Sequence, residues 1–212
     1  MTKTPSPSDA TILEISATGE IAVAPDLATI SFSVETQSHE ASDALHANAG
    51  KLETIVAALG TMGVAARDIQ TSRINLAPQY VHRDGKPPRF ESYQASSEIR
   101  VKVQDMTMPG RIIDGVVSAG ATTVQHVALD LADRTAAEQA AQRAAIAALH
   151  AKAALFAEAA GLKIGRLLRL SDSRADHEGG PAVRYALHAA TPILPGEIVV
   201  RAEVHGTYAL VR

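Results

Sequence analysis

The chain has 212 residues, of which 46% are hydrophobic and 20% charged, a balance typical of a globular protein that can bury a sizeable core. Twenty basic residues against 23 acidic ones give a net charge of -3, which supplies no positive field to attract a phosphate backbone, so nucleic acid is excluded as an expected partner. Cysteine is absent, which excludes disulfides, thiolate metal sites and cysteine nucleophiles.

The amino-terminal segment is polar and rich in proline and serine, which predicts a disordered lead-in over residues 1–11. It holds one lysine and no apolar stretch, so no signal peptide is visible. The protein is then expected to be cytoplasmic if Met1 is the native start. All apolar runs are far shorter than the roughly 20 residues of a membrane helix, and no transmembrane segment is expected.

The first clear element is a strand from Leu27, in which every second residue from 28 to 34 is apolar. Ser38 is expected to cap the helix that follows, and Gly60 and Gly63 to end it. Its predicted apolar stripe has helical spacing and comprises Leu45, Ala49, Leu52, Val56 and Leu59.

A long hairpin is predicted next, formed by residues 69–82 and 89–103 around a turn at Asp84 and Gly85. Pro109 then begins a short helix, and a strand follows over residues 122–131. This order predicts an α+β fold with a ferredoxin-like β-α-β-β-α-β core on an antiparallel sheet.

A long alanine-rich helix should follow the core, opened by a capping box at residues 135–138 (TAAE) and ending near Ala160. Its bulkier residues form a narrow stripe, and the flanking alanines would let a sheet or another subunit approach closely. The members of this stripe are Ile146, Leu149, Ala153 and Phe156.

After the long helix we expect a strand over residues 163–170, a mobile loop over 171–190, and a carboxy-terminal strand over 198–211. Inward positions of the last strand are Val200, Ala202, Val204, Tyr208 and Leu210. This strand is predicted to be part of the core sheet, and both it and the amino-terminal segment are expected to join the same sheet or a closely packed one. Residues 12–212 are expected to form a single domain.

Two groups of polar residues have compositions that could form a metal site or a catalytic site. His39, Asp43 and His46 have the spacing of a metal-binding helical face, but they lie opposite the apolar stripe and are expected to be solvated. A second group holds every residue type of a hydrolytic triad, yet it lies in one loop and no Gly-x-Ser-x-Gly elbow occurs. Its members are Ser171, Asp172, Ser173, Asp176 and His177.

The remaining candidates are weaker still. His177 and His188 give a faint metal signal, and no catalytic role is assigned to His126 or His205. Basic residues at the hairpin tip suggest a solvated turn more than an anion site, and the aromatic residues beside them favour packing over base stacking. The basic residues are Arg83, Lys86 and Arg89, and the aromatic ones Tyr80, Phe90 and Tyr93. No Walker A or dinucleotide motif is present, so no catalytic residue, cofactor or metal is expected.

Several phrases occur in a consistent order along nearly the whole chain. They are 17–20 (ATGE), 24–28 (APDLA), 68–71 (DIQT), 76–80 (LAPQY), 92–95 (SYQA), 113–114 (ID), 119–121 (AGA), Lys152 and 195–198 (PGEI). Together they resemble the SIMPL-domain family of bacterial envelope proteins, which includes periplasmic immunogenic and stress-defence proteins. From the residues themselves, we expect Gly19 and Pro25 to shape a turn between the first two strands, and Asp26 to accept backbone hydrogen bonds.

The resemblance implies an α+β fold, export to the periplasm in many members and hence a periplasmic or secreted location, homo-oligomer formation in some members, and no known enzymatic activity or cofactor. The leading expectation is therefore a non-enzymatic, homo-oligomeric interaction protein with protein partners in the envelope and a link to oxidative or envelope stress tolerance. The alternative is a small-molecule or metal-binding periplasmic protein, with loop 171–190 or the hairpin tip as its site. A hydrolase ranks third.

Overall fold

The computed structural model describes residues 11–82, 87–173, 193 and 195–212. The strands in these residues are β1 (Thr11–Val23), β2 (Leu27–Ser38), β3 (Ile69–Val81), β4 (Arg89–Val103), β5 (Thr123–Asp130), β6 (Lys163–Ser173) and β7 (Ile198–Val211). The helices are α1 (Ala41–Thr61), α2 (Pro109–Ser118) and α3 (Thr135–Ala159), and a short 3-10 helix, Ala66–Asp68, precedes β3. Two antiparallel sheets and three helices confirm the predicted α+β class.

The contacts divide the chain into two compact units. The larger unit contains β2 to β5, and its sheet has the antiparallel order β3-β4-β2-β5. This is the strand order of a ferredoxin-like split β-α-β-β-α-β core, so that prediction is confirmed. One cluster of buried side chains joins α1 and α2 to the same face of the sheet, centred on Phe32, Ile55 and Ile112.

The buried stripe of α1 differs from the predicted one by about one residue. Leu45 and Val56 are more than a third exposed, and the fully or nearly buried residues are Ala44, Asn48, Ile55 and Leu59. The helix turns this way because Asn48 finds partners beneath it: its Nδ2 donates to Val34 O at 2.9 Å and to Ala95 O at 3.3 Å. Ser97 Oγ donates to Asn48 Oδ1 at 2.5 Å, so a satisfied polar network replaces an apolar contact.

The smaller unit contains the two ends of the described chain. Its sheet has the order β1-β7-β6, and β1 pairs with β7 along its whole length, from Thr11 opposite Leu210 to Val23 opposite Ile198. The terminal segments therefore join the same sheet, as predicted, but β7 belongs to this three-stranded sheet and not to the sheet of β2 to β5, so its expected place in the core sheet is wrong. The inward face of β7 is buried as expected, apart from Leu210, which is half-buried. A single domain over residues 12–212 stays a prediction.

Helix α3 covers one face of this three-stranded sheet with an alanine seam. Its buried residues recur every four positions, at Ala137, Ala141, Ala145, Leu149, Ala153 and Ala157. The expected bulky stripe is wrong at Phe156, which is 48% exposed. Phe156 is one residue away from this buried repeat, which continues at Ala157. At Gly19 an added Cβ would lie 2.2 Å from both Ala141 O and Ala145 N, so the helix backbone rests directly on β1 there. Gly19 is thus part of β1 and forms no turn; residues 24–26 connect the strands.

Two element boundaries differ from the expected ones, and one expected hydrogen bond is present. The capping box does not form, because α3 begins at Thr135 itself and the Thr135 amide donates to Asp133 Oδ1 at 2.8 Å instead. Residues 171–173 continue β6 and do not begin a loop, whereas 174–190 lie outside the described residues. Asp26 accepts a backbone hydrogen bond as expected, from Ala132 N at 2.7 Å.

The lead-in and the hairpin turn lie mostly beyond the described ranges. Of the predicted lead-in, residues 1–10 are not described, and Thr11 already belongs to β1. The turn residues Asp84 and Gly85 are likewise outside, although the two hairpin strands on either side follow the predicted bounds within one residue.

Candidate functional site

Among the residues that the structure describes, α3 covers one face of the smaller unit's sheet, and the other face is open. In β7 the even-numbered residues from 198 to 208 are buried under α3, while the odd-numbered ones point the other way and are exposed or half-buried. Because facing residues of paired strands share a side, the same holds for their neighbours on β1 and β6. The open face is polar, and its members include Glu14, Ser16, Glu20, Arg169, Ser171, Arg201, Glu203, His205 and Thr207.

A concavity of about 370 Å³ lies on this open face. Its lining consists of Glu14, Ile15, Ser16, Arg169, Ser171, His205, Gly206 and Thr207. The strand register arranges six of these side chains in two rows. One row runs Glu14, Thr207, Arg169 across the three strands, and the other runs Ser16, His205, Ser171.

Some charged side chains of the open face are paired, whereas Glu14 and Arg169, which line the concavity, are not paired with a described residue. Arg201 Nε donates to Glu20 Oε1 at 2.7 Å, between directly facing residues of adjacent strands. His205 Nε2 lies 3.9 Å from Glu203 Oε1. Glu14 and Arg169 make no ion pair or side-chain hydrogen bond with another described residue. Within the described part of the chain, the concavity therefore presents a carboxylate and a guanidinium that have no ionic partner.

The residue types of the hydrolytic triad do not come together in the described part of the chain. Ser171 faces the open side opposite His205, whereas Asp172 faces α3, where Gln142 Nε2 donates to its Oδ2 at 3.2 Å. Asp176, His177 and His188 lie outside the described residues. Ser171 and Asp172 therefore lie on opposite faces of the sheet and cannot belong to one triad.

The first histidine group is solvent-facing, as expected. His39 precedes α1 in a bend, and Asp43 and His46 are exposed on the helix. Within the described ranges no three histidine, aspartate or glutamate side chains are grouped so as to hold a metal ion. His126 and His205 both lie exposed in strands, and His205 is the one that lines the concavity.

The aromatic residues of the hairpin pack on one another near its end. Tyr80 and Phe90 meet edge to face with ring centroids 6.1 Å apart, and Phe90 and Tyr93 are 5.1 Å apart. Tyr80 and Phe90 stay well exposed, so this is packing within a hairpin surface rather than a core. Arg89 is exposed beside them, and Arg83 and Lys86 are outside the described residues.

One buried polar contact was missed in the sequence. Tyr208 is fully buried under α3, and its hydroxyl lies 3.0 Å from Nδ1 of His150 on that helix. Burial raises the pKa of the Tyr208 hydroxyl above its ordinary value of 10.0. No local spacing links these residues, so only the alternation that buries Tyr208 hinted that its hydroxyl needs a partner.

The edge strand β6 exposes apolar side chains. Among the described strands, it pairs only with β7, so its other edge has no strand partner there. Four of its apolar side chains are between 36% and 46% exposed: Ile164, Leu167, Leu168 and Leu170. The opposite edge, β1, is protected at one point by Lys152, whose Nζ donates to Ser16 O at 2.9 Å. Among the described helices, none is long and apolar enough to cross a bilayer.

Comparison with known proteins places this architecture in a family. The chain is 32% identical over 164 residues to the 26 kDa periplasmic immunogenic protein of Brucella melitensis. The aligned region covers 74% of this chain and 66% of that protein. The chain thus spans just under two thirds of that relative's length. It is also 23% identical over 189 residues to the uncharacterized protein YggE of Escherichia coli K12, covering 89% of this chain and 76% of YggE. Residues 13–208 match the model of the SIMPL family, described as a protein of unknown function (DUF541), and the chain belongs to that family.

Proposed function

We propose that this chain is a non-enzymatic interaction protein of the bacterial cell envelope, that it assembles as a homo-oligomer, and that it contributes to oxidative or envelope stress tolerance. The observation that carries the interaction role is the apolar edge strand β6. A periplasmic location is supported by the chain's similarity to the periplasmic immunogenic protein of Brucella melitensis. A non-enzymatic role is supported by the placement of Ser171 and Asp172 on opposite faces of the sheet.

The edge of β6 is suited to pairing because it combines two features. Its outer backbone groups have no strand partner among the described residues, and an edge of this kind is a template for another strand. Its exposed leucines would leave water when a second strand docks, at about 25 cal/mol per Å² of apolar surface. We assign this edge to a second copy of the chain, since a homo-oligomer needs no further partner to bury it.

Light scattering coupled to size exclusion tests the assembly. The native protein is expected to give a mass that is a multiple of 22.2 kDa, and Leu168→Lys a smaller one, because lysine on an edge strand opposes pairing. Leu155→Lys is the matched control: it changes a 63% exposed leucine on α3, away from the edge, and should leave the mass unchanged. A native monomer at micromolar concentration and above would refute the oligomer.

The stress link is tested in cells. A strain lacking the gene is expected to survive peroxide or envelope-damaging detergent less well, and the native chain to restore survival. The variant Leu168→Lys should restore less than Leu155→Lys if assembly is needed for the role. Equal restoration by both variants would separate the stress role from the edge of β6.

A second candidate function is favoured by one observation, the polar concavity on the smaller unit's sheet. It supports the small-molecule alternative, with the site on three strands in place of loop 171–190 or the hairpin tip. A thermal-shift screen of metabolites tests it, because a ligand that prefers the native state raises apparent stability.

A further inference from the structure

The concavity on the open face holds two opposite charges on its two outer strands. Glu14 on β1 and Arg169 on β6 both face Thr207 on the central strand β7. Since neighbouring strands lie about 4.8 Å apart, the two backbones are about 10 Å apart. Both side chains line the concavity, so their charged groups border the same space.

Glu14 and Arg169 do not contact each other, unlike the ion pair that Glu20 and Arg201 form on the same face. Glu20 and Arg201 lie on adjacent strands, directly opposite each other, and they close to 2.7 Å. Glu14 and Arg169 have an intervening strand between them and no other partner among the described residues. The first pair neutralises itself, whereas the second leaves a gap between a carboxylate and a guanidinium.

We propose that this gap binds a small zwitterion of the amino-acid class. The ligand's carboxylate is held by the Arg169 guanidinium, which offers paired donors in a fork that matches a carboxylate. Its ammonium group is held by the Glu14 carboxylate. The hydroxyls of Ser16, Ser171 and Thr207 and the imidazole of His205 surround the ligand with further hydrogen-bonding groups.

Electrostatics favour a zwitterion over a singly charged ligand. An anion at Arg169 would be repelled by Glu14, and a cation at Glu14 would be repelled by Arg169, because both charges border the same concavity. A molecule that carries both charges gains from both groups. The proposal rests on the small-molecule alternative above and is independent of the assembly through β6.

Ligand-observed NMR titration tests it and remains usable if the protein assembles. The probes are glycine, β-alanine and γ-aminobutyrate, with propionate and propylammonium as singly charged controls. At least one zwitterion is expected to saturate, with at least tenfold higher affinity than either control, a difference of about 1.4 kcal/mol. Glu14→Gln and Arg169→Gln should each lower that affinity tenfold or more.

The matched control is Arg201→Gln, which removes a cation from the same face but outside the concavity, and it should leave the affinity unchanged. A thermal melt of each variant identifies any that fails to fold. If one of Glu14→Gln and Arg169→Gln does not fold, the affinity of the other one tests the proposal. Absence of saturation by all three zwitterions, or propionate binding as tightly as the best of them, overturns the proposal. Neither result bears on the light-scattering test of the oligomer.

Discussion

Replacing Gly19 by alanine tests how closely α3 rests on the sheet. The added Cβ would lie 2.2 Å from Ala141 O, 2.2 Å from Ala145 N and 2.8 Å from Ala144 C. All three are backbone atoms of the helix, so no side-chain rotation relieves the overlap. Either α3 must move off β1 or the strand must bend, and both loosen the alanine seam.

The expected cost of Gly19→Ala is at the upper end of overpacking, about 3 kcal/mol or more. Since a domain is stable by about 5–15 kcal/mol in total, a loss of this size is a large fraction of it. Gly206→Ala should cost less, because its Cβ would meet Leu149 Cδ2 at 2.6 Å, the end of a side chain that can turn.

Urea unfolding followed by circular dichroism measures these differences. The matched control is Gly50→Ala in α1, where an added Cβ meets nothing within 4 Å. That change should stabilise the protein by about 0.5–1 kcal/mol, as alanine does within a helix. If Gly19→Ala stays within about 0.5 kcal/mol of the native protein, as an ordinary surface change would, the close approach of α3 to β1 is refuted.

Two further substitutions test the polar interactions. Asn48→Ala should destabilise by about 2–3 kcal/mol, because it leaves Ser97 and two strand carbonyls without their buried partner; a urea midpoint equal to that of the native protein would contradict the network. Asp133→Asn should lower stability at neutral pH, since hydrogen bonds from Thr135 hold the pKa of Asp133 below its ordinary 3.8 and so favour its charged form in the fold. That contribution is complete above the ordinary pKa and is lost as the pH falls through the lowered one, so thermal melts of the two proteins should converge in strong acid; a constant difference would contradict it.

Strand alternation and element order could be predicted from the sequence because they are local. The pattern of β7 fixes which residues face α3, and the order of elements from β2 to β5 leaves few arrangements besides the ferredoxin-like one. The class and the joining of the terminal strands followed from these patterns alone.

Helix faces were predicted less well because distant residues decide them. Leu45 and Val56 made a reasonable stripe for α1, yet carbonyls of β2 and β4 draw Asn48 inward. In α3 the size of each residue suggested a bulky contact, but Gly19, more than a hundred residues earlier, admits only alanine. Residue spacing within a helix carries no information about contacts with residues that are distant in the sequence.

The concavity could not be found in the sequence for the same reason. Its lining comes from residues 14–16, 169–171 and 205–207, three short segments without a motif. Only the register of three strands brings Glu14 and Arg169 to the same row. Reasoning on nearby residues instead drew attention to Asp172 and to His39, and these side chains point elsewhere.

The pairing of β1 with β7 delays the completion of the three-stranded sheet during synthesis of the chain. Val23 and its partner Ile198 are separated by most of the chain, so at 5–20 residues per second β1 waits roughly 10–35 s for the strand that completes it. The strands β2 to β5 are all synthesised within that interval and can assemble their own sheet first. The nascent chain thus carries β1 without its strand partner until β7 has been synthesised, and we expect a chaperone that holds unfolded chains to protect it during that interval.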